Sequence, residues 1–89
     1  MMTIEKGSVV RSIAGHYADR FYVVLEMEGD FAFIADGKER KLEKPKRKRK
    51  KHLRGTNTRL DVDTLTTDKK LREALHPFNY GKLPSEGGI

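Results

Sequence analysis

The sequence predicts a small, mainly β protein: five short strands forming a small barrel, followed by one short C-terminal α-helix. Three observations predict it. Apolar and β-branched runs of five to eight residues recur between residues 7 and 43, separated by Gly- and Asp-containing turn signals. The apolar spacing then switches, with Leu71, Ala74, Leu75 and Phe78 recurring at the intervals of one helical face. With 89 residues there is room for one small domain, which buries only about 60–68% of its extended-chain surface.

The first strand is expected in Gly7–Ile13, ending at Ala14-Gly15. The second is Arg20–Met27, in which Phe21, Val23, Leu25 and Met27 share one face by strand periodicity. Tyr22 and Val24 make the other face apolar too, as expected where a small barrel is covered on both sides. Glu28-Gly29-Asp30 is a turn, and Phe31–Ala35 the third strand. Asp36-Gly37 is a hairpin signal, because a type I′ turn needs positive φ at both central residues. It leads to a fourth strand over Lys38–Glu43 anchored by Leu42, which Pro45 ends. Six adjacent cations, Lys46–Lys51, repel one another, so an extended loop is expected there. His52-Leu53-Arg54 returns as the fifth strand, and Gly55–Thr58 is a turn. Thr66 or Thr67 caps the helix, Asp68 lies in its first turn, and Pro77 stops it at about His76. Many short strands at this spacing and length indicate an SH3-like barrel. The expected organisation is residues 1–62 as barrel, including basic loop 44–51, then a helical extension over 63–79 and a flexible tail over 80–89. The helix is expected to brace the barrel.

Charge is the most informative feature of the chain. Between Lys38 and Arg59, twelve Lys or Arg residues and two acids leave +10, whereas the whole chain is +6. The remainder is therefore acidic. A charge so concentrated points to a polyanion, and nucleic acid releases condensed counterions as its phosphates are neutralised. A solvated face, a nuclear-import signal and an anionic-lipid patch are the competing readings. No amphipathic basic helix or acylation motif supports the lipid reading.

Several function classes are disfavoured. The chain has no cysteine, which removes disulfides, thiolate metal sites and thiol nucleophiles. Ser12, His16 and Asp19 are hydrolase-like residue types without a nucleophile elbow. His16, His52 and His76 lack metal-ligand spacing, and no phosphate-binding glycine loop occurs. No enzyme activity, metal or cofactor is expected. Met1–Lys6 has no apolar stretch behind it, so a cytoplasmic protein without a membrane partner is expected, monomeric when free.

The stretch Gly7-Ser-Val-Val-Arg-Ser-Ile-Ala-Gly15-His-Tyr-Ala-Asp-Arg-Phe-Tyr-Val-Val24 resembles a KOW motif, in which two short strands flank a loop holding a near-invariant glycine, here Gly15. Asp36–Leu53, with its DGK…RKLEKPKRK…KHL pattern, resembles KOW-type large-subunit ribosomal proteins of archaeal and eukaryotic type. The likeness covers roughly residues 5–54. It implies an SH3-like barrel that binds structured RNA, ribosomal or ribosome-associated. Gly15, His16, Tyr17 and Arg20 fall in the implied contact loop. Lys44, Lys46, Arg47, Lys48, Arg49, Lys50 and Lys51 fall in the basic stretch, with His52 and Arg54 following. Where family members often carry Lys-Gly, this chain has Ala18-Asp19, a less basic loop tip. Phe21, Phe31 and Phe33 are expected in the core, with Tyr22 the exposed stacking candidate. The alternative is a protein-interaction module of the transcription or translation machinery, using barrel edges and the C-terminal helix.

Overall fold

Short apolar runs, covered on both faces, build the first three strands. In the computed structural model, which describes residues 3–15 and 18–80, these are β1 (Ser8–Ser12), β2 (Phe21–Glu28) and β3 (Phe31–Ala35). β4 (Lys46–Arg49), β5 (Leu53–Arg59) and the helix α1 (Asp68–Asn79) follow, with single 3-10 turns at Lys50–His52 and Val62–Thr64. The strands form one antiparallel sheet in the order β4-β3-β2-β1-β5.

The two edge strands, β4 and β5, are joined by only three residues, 50–52. A flat five-stranded sheet would hold its edges about 19 Å apart. The link from Arg49 to Leu53 spans at most about 14 Å. The sheet therefore curls, although no ladder joins β4 to β5 among the described residues and the sheet remains open. Contacts across the curl agree. The Lys48 ammonium on β4 donates to Ser12 Oγ at 3.1 Å and to the Ala14 carbonyl at 2.6 Å. The Ile13 amide donates to the His52 carbonyl at 3.0 Å.

Each face of the sheet carries its own apolar cluster. Val10, Tyr22, Val24, Ala32, Ile34 and Leu53 fill the inside, with Ile4 and Met27 against them. On the other face Val9, Val23 and Ala35 meet Leu71 and Leu75 of α1, both fully buried. Burying each leucine is worth about 1.5–3 kcal/mol. The helix thus shares a core with the sheet, as its expected bracing role requires.

Four contacts set the helix in place. Thr67 caps it, its hydroxyl accepting from the Lys70 amide. Asp68 Oδ1 accepts from the Leu42 amide at 2.8 Å, and the Arg72 guanidinium donates to the Gly37 carbonyl at 3.0 Å. Gly37 lies so close to the Asp68 carbonyl that a side chain has no room, and its φ of 80° is also one that glycine adopts freely. At the other end, the Asn79 carboxamide pairs with the backbone of Phe21.

Several expectations are corrected. The fourth strand is Lys46–Arg49 rather than Lys38–Glu43, so the basic run forms strand and 3-10 turn instead of an extended loop. An edge strand needs only one ladder, and its charges alternate between two faces, where they find separate supports. Residues 36–44 form the connecting turns. Asp36 is buried with ordinary φ, because its carboxylate is used inside the protein rather than in a two-residue hairpin. Gly55–Thr58 is the irregular middle of β5, where Thr56 Oγ1 donates to the Val9 carbonyl at 2.8 Å.

Met27 leaves the face of Phe21, Val23 and Leu25. A bulge between Val24 and Glu26 adds one residue and reverses the alternation beyond it. Tyr22 is buried, not exposed. Phe21 packs with the helix cluster, its ring centroid 5.5 Å from that of Phe78. Phe31 and Phe33 are only half-buried, on the face of β3 opposite Ala32 and Ile34. Pro77 lies inside α1 rather than ending it. The last turn is retained because Phe78 and Asn79 gain tertiary partners there. The tail beyond Tyr80 lies outside the described residues.

Candidate nucleic-acid interface

The basic run is presented on an edge, and strand alternation divides it. Lys46 and Lys48 point to the inner rim of the curl. There, with Arg40, Gly15, Ser12, Tyr22 and Ile34, they line a pocket of about 270 Å³. Burial lowers the pKa of Lys48, and the nearby positive charges of Lys46 and Arg40 lower it further. No acid lines this pocket. Arg47 and Arg49 project to the outer face, where the Arg47 guanidinium carbon lies 3.7 Å from the centre of the Phe31 ring and that of Arg49 at 5.0 Å. A guanidinium over an aromatic face is attracted by the ring's quadrupole.

Beyond the strand, Lys50 and Lys51 are exposed on the 3-10 turn, and the Lys50 amide is tied to the Asp30 carbonyl at 2.8 Å. Lys44 is exposed in the turn before Pro45. His52 is half-buried and uses its carbonyl to hold Ile13. Arg54 is exposed on β5, opposite Arg11. Among the described residues, none of the seven Lys or Arg between 44 and 51 forms an ion pair with an acid.

The loop between β1 and β2 meets this edge at Gly15. A side chain on Gly15 would begin 3.0 Å from the Lys48 ammonium, and its φ is 98°. Asp19 also has a positive φ, 71°, and its carboxylate sits 3.6 Å from Arg11. His16 and Tyr17 lie outside the described residues.

Arg20 has a structural partner. Its Nε donates to the buried Asp36 carboxylate, which also accepts from the Lys38 and Arg40 amides at 2.9 and 2.8 Å. Burial lowers the Arg20 pKa, but hydrogen bonds to Asp36 and Tyr80, with the attraction of the Asp36 charge, outweigh it, so the net shift is upward. Asp36 in turn orders the loop that carries Arg40 to the pocket. Burial, then the Asp36 charge, push the Tyr22 phenol up to about 12.

Sequence reasoning missed Arg40, the Phe31 support and the division of the run. Alternation within Lys46–Arg49 was the one signal for the last of these. Among the described residues no group of three His, Asp or Glu could hold a metal, and no helix is long and apolar enough to cross a membrane. No known family model matches the chain, and no curated protein matches it.

Proposed function

We propose that this protein binds structured RNA through β4, the 3-10 turn after it and the Gly15 loop, and that it is a ribosome-associated barrel of the KOW, SH3-like type. The observation that carries the reading is the set of seven cations between Lys44 and Lys51, none in an ion pair among the described residues, held on β4 and the turns flanking it, with Lys48 beside Gly15. Free surface lysines usually spread over a protein. Here they are concentrated on an ordered edge, which fixes their spacing before a phosphate arrives. The strand order and the short link between β4 and β5 support barrel-like curling.

In this reading Lys46 and Lys48 seat a phosphate at the inner rim, and the exposed cations of the turn follow the backbone. Arg47 and Arg49 act on the outer face. The protein-interaction alternative loses its helix, since Leu71 and Leu75 are consumed by the core.

The test is RNA affinity against salt. Six phosphate contacts would give a slope of log K on log salt of roughly −4 to −5. Neutralising Lys46–Lys51 should weaken binding to every RNA and flatten that slope. Unchanged affinity and slope would remove β4 from the interface. Sedimentation of the protein from lysate at low and high salt then tests ribosome association. Migration with the large subunit is expected, and migration at the top of the gradient at both salts would overturn it.

A further inference from the structure

The loop after β3 carries cations on both of its sides. Arg40 faces the inner-rim pocket with Lys46 and Lys48. Lys38 and Lys41 face away, into a larger groove of about 890 Å³ between this loop and α1. The helix adds Lys69 and Arg72 to that groove. Among the described residues none of these four cations forms an ion pair, and Glu73 is the one acid in the lining. The groove's size lies within the range of about 300–1,000 Å³ usual for small-ligand sites.

An aromatic ring, that of Tyr80, also lines the groove. Tyr80 is 49% exposed. Its ring lies 5.2 Å from that of His76, between centroids, and its hydroxyl accepts from Lys38 Nζ at 3.0 Å and Arg20 Nη2 at 3.3 Å. The Lys38 and Arg20 hydrogen bonds lower the Tyr80 pKa. Tyr80 is thus held in place by two cations, Lys38 Nζ lying 5.3 Å and the Arg20 guanidinium carbon 5.7 Å from its ring centre, while half of the residue's surface stays open. Arg72 is similarly fixed by its bond to the Gly37 carbonyl.

We propose that this groove takes an unpaired nucleotide of the same RNA, with its base against Tyr80 and its flanking phosphates on Lys41 and Lys69. The inference rests on the RNA-binding reading and extends it. It makes the loop at 37–41 the saddle of one cationic track, with paired RNA on the β4 side and a single strand on the helix side. Bases stack on any accessible aromatic face, whereas an acidic peptide would use the cations and leave the ring idle. The helix then has a second role besides bracing the sheet.

The experiment compares two RNAs on the full chain by fluorescence anisotropy: a blunt stem–loop, and the same stem–loop with a three-adenosine overhang. The wild type should bind the overhang RNA more tightly. Tyr80→Ala should lose about fivefold or more on the overhang RNA and leave the blunt RNA unchanged. Tyr80→Phe should retain the overhang preference. Lys41→Gln with Lys69→Gln, two exposed positions outside the core, should lower the salt slope by about 1–2 for the overhang RNA alone. If these variants affect both RNAs equally, or neither, while neutralising Lys46–Lys51 weakens both, the groove proposal fails and the β4 interface stands. If the wild type binds neither RNA, both readings fail. Displacement of the overhang RNA by oligoglutamate as effectively as by an oligoadenylate of equal charge would also overturn the proposal.

Discussion

The carboxamide of Asn79 takes the place of a neighbouring strand for Phe21. The Phe21 amide donates to Asn79 Oδ1 at 2.8 Å, and Asn79 Nδ2 donates to the Phe21 carbonyl at 3.2 Å. One side chain at the end of α1 thereby satisfies both backbone groups at the start of β2. Asn79→Ala should cost about 1–3 kcal/mol, because both partners are part-buried and would be left without an acceptor and a donor. Urea unfolding measures it. Asn79→Asp should also be destabilising, since a carboxylate cannot donate to the carbonyl. A loss below about 0.5 kcal/mol for the alanine variant would mean that water replaces the pair.

Asp36 and Arg20 form the ion pair most shielded from solvent in the described residues, and Asp36 also holds two backbone amides. Asp36→Ala strands the guanidinium and both amides together. The expected cost is about 3–5 kcal/mol, read as a lowered denaturation midpoint at unchanged slope. Asp36→Asn keeps an acceptor for the amides and should lose less. Equal stability of the alanine variant and the wild type would show the pair to be dispensable.

Tyr22 gives the fold an alkaline limit. Its phenol rises from 10.0 to about 12 in the folded protein. The folded state therefore holds this proton more tightly than the unfolded state. Its contribution is fully present below pH 10.0 and is lost as the pH rises through the interval to about 12. The loss amounts to about 2–3 kcal/mol. Stability of the wild type minus that of Tyr22→Phe, measured from pH 9 to 12, isolates it. A flat difference over that range would contradict the burial argument.

Lys48 separates stability from binding. Its ammonium is desolvated and sits near other cations, conditions that disfavour its charge in the free protein. Ser12 Oγ already donates to the Ala14 carbonyl at 3.0 Å, so that carbonyl keeps a partner without Lys48. Lys48→Met should leave the melting temperature unchanged or raised, and should reduce the RNA salt slope by about 1. A lowered melting temperature with intact RNA binding would reverse the assignment and make Lys48 a structural residue.

Strands β2 and β3 could be read directly, because Tyr22, Val24 and Ile34 follow the pleat and turn glycines bound them. The bulge at Leu25 could not, since an extra residue leaves no mark in an apolar pattern. β4 was hidden for a different reason. Its residues carry no apolar signal, and what makes it a strand lies elsewhere in the chain: the β3 ladder and the Phe31 ring. The helix start at Thr67 was legible as a cap, whereas its extension past Pro77 depends on Phe21, some sixty positions away. The candidate interface followed the same division. The run Lys46–Lys51 is conspicuous, but Arg40 comes beside Lys46 and Lys48 only through folding.

The edge position of β4 makes added salt act in opposite directions on the free protein and on the RNA complex proposed for it. Four like charges in consecutive positions, with a ladder on one side only, push against their own pairing. Dissolved ions screen that push within about 10 Å at 0.1 M, so moderate salt should tighten the free strand and slow the exchange of its amide hydrogens. The same ions would compete with phosphates and loosen the proposed complex. Bound RNA would then do for β4 what a neighbouring strand does elsewhere in the sheet, and the protein would reach its greatest rigidity only with its polyanion in place.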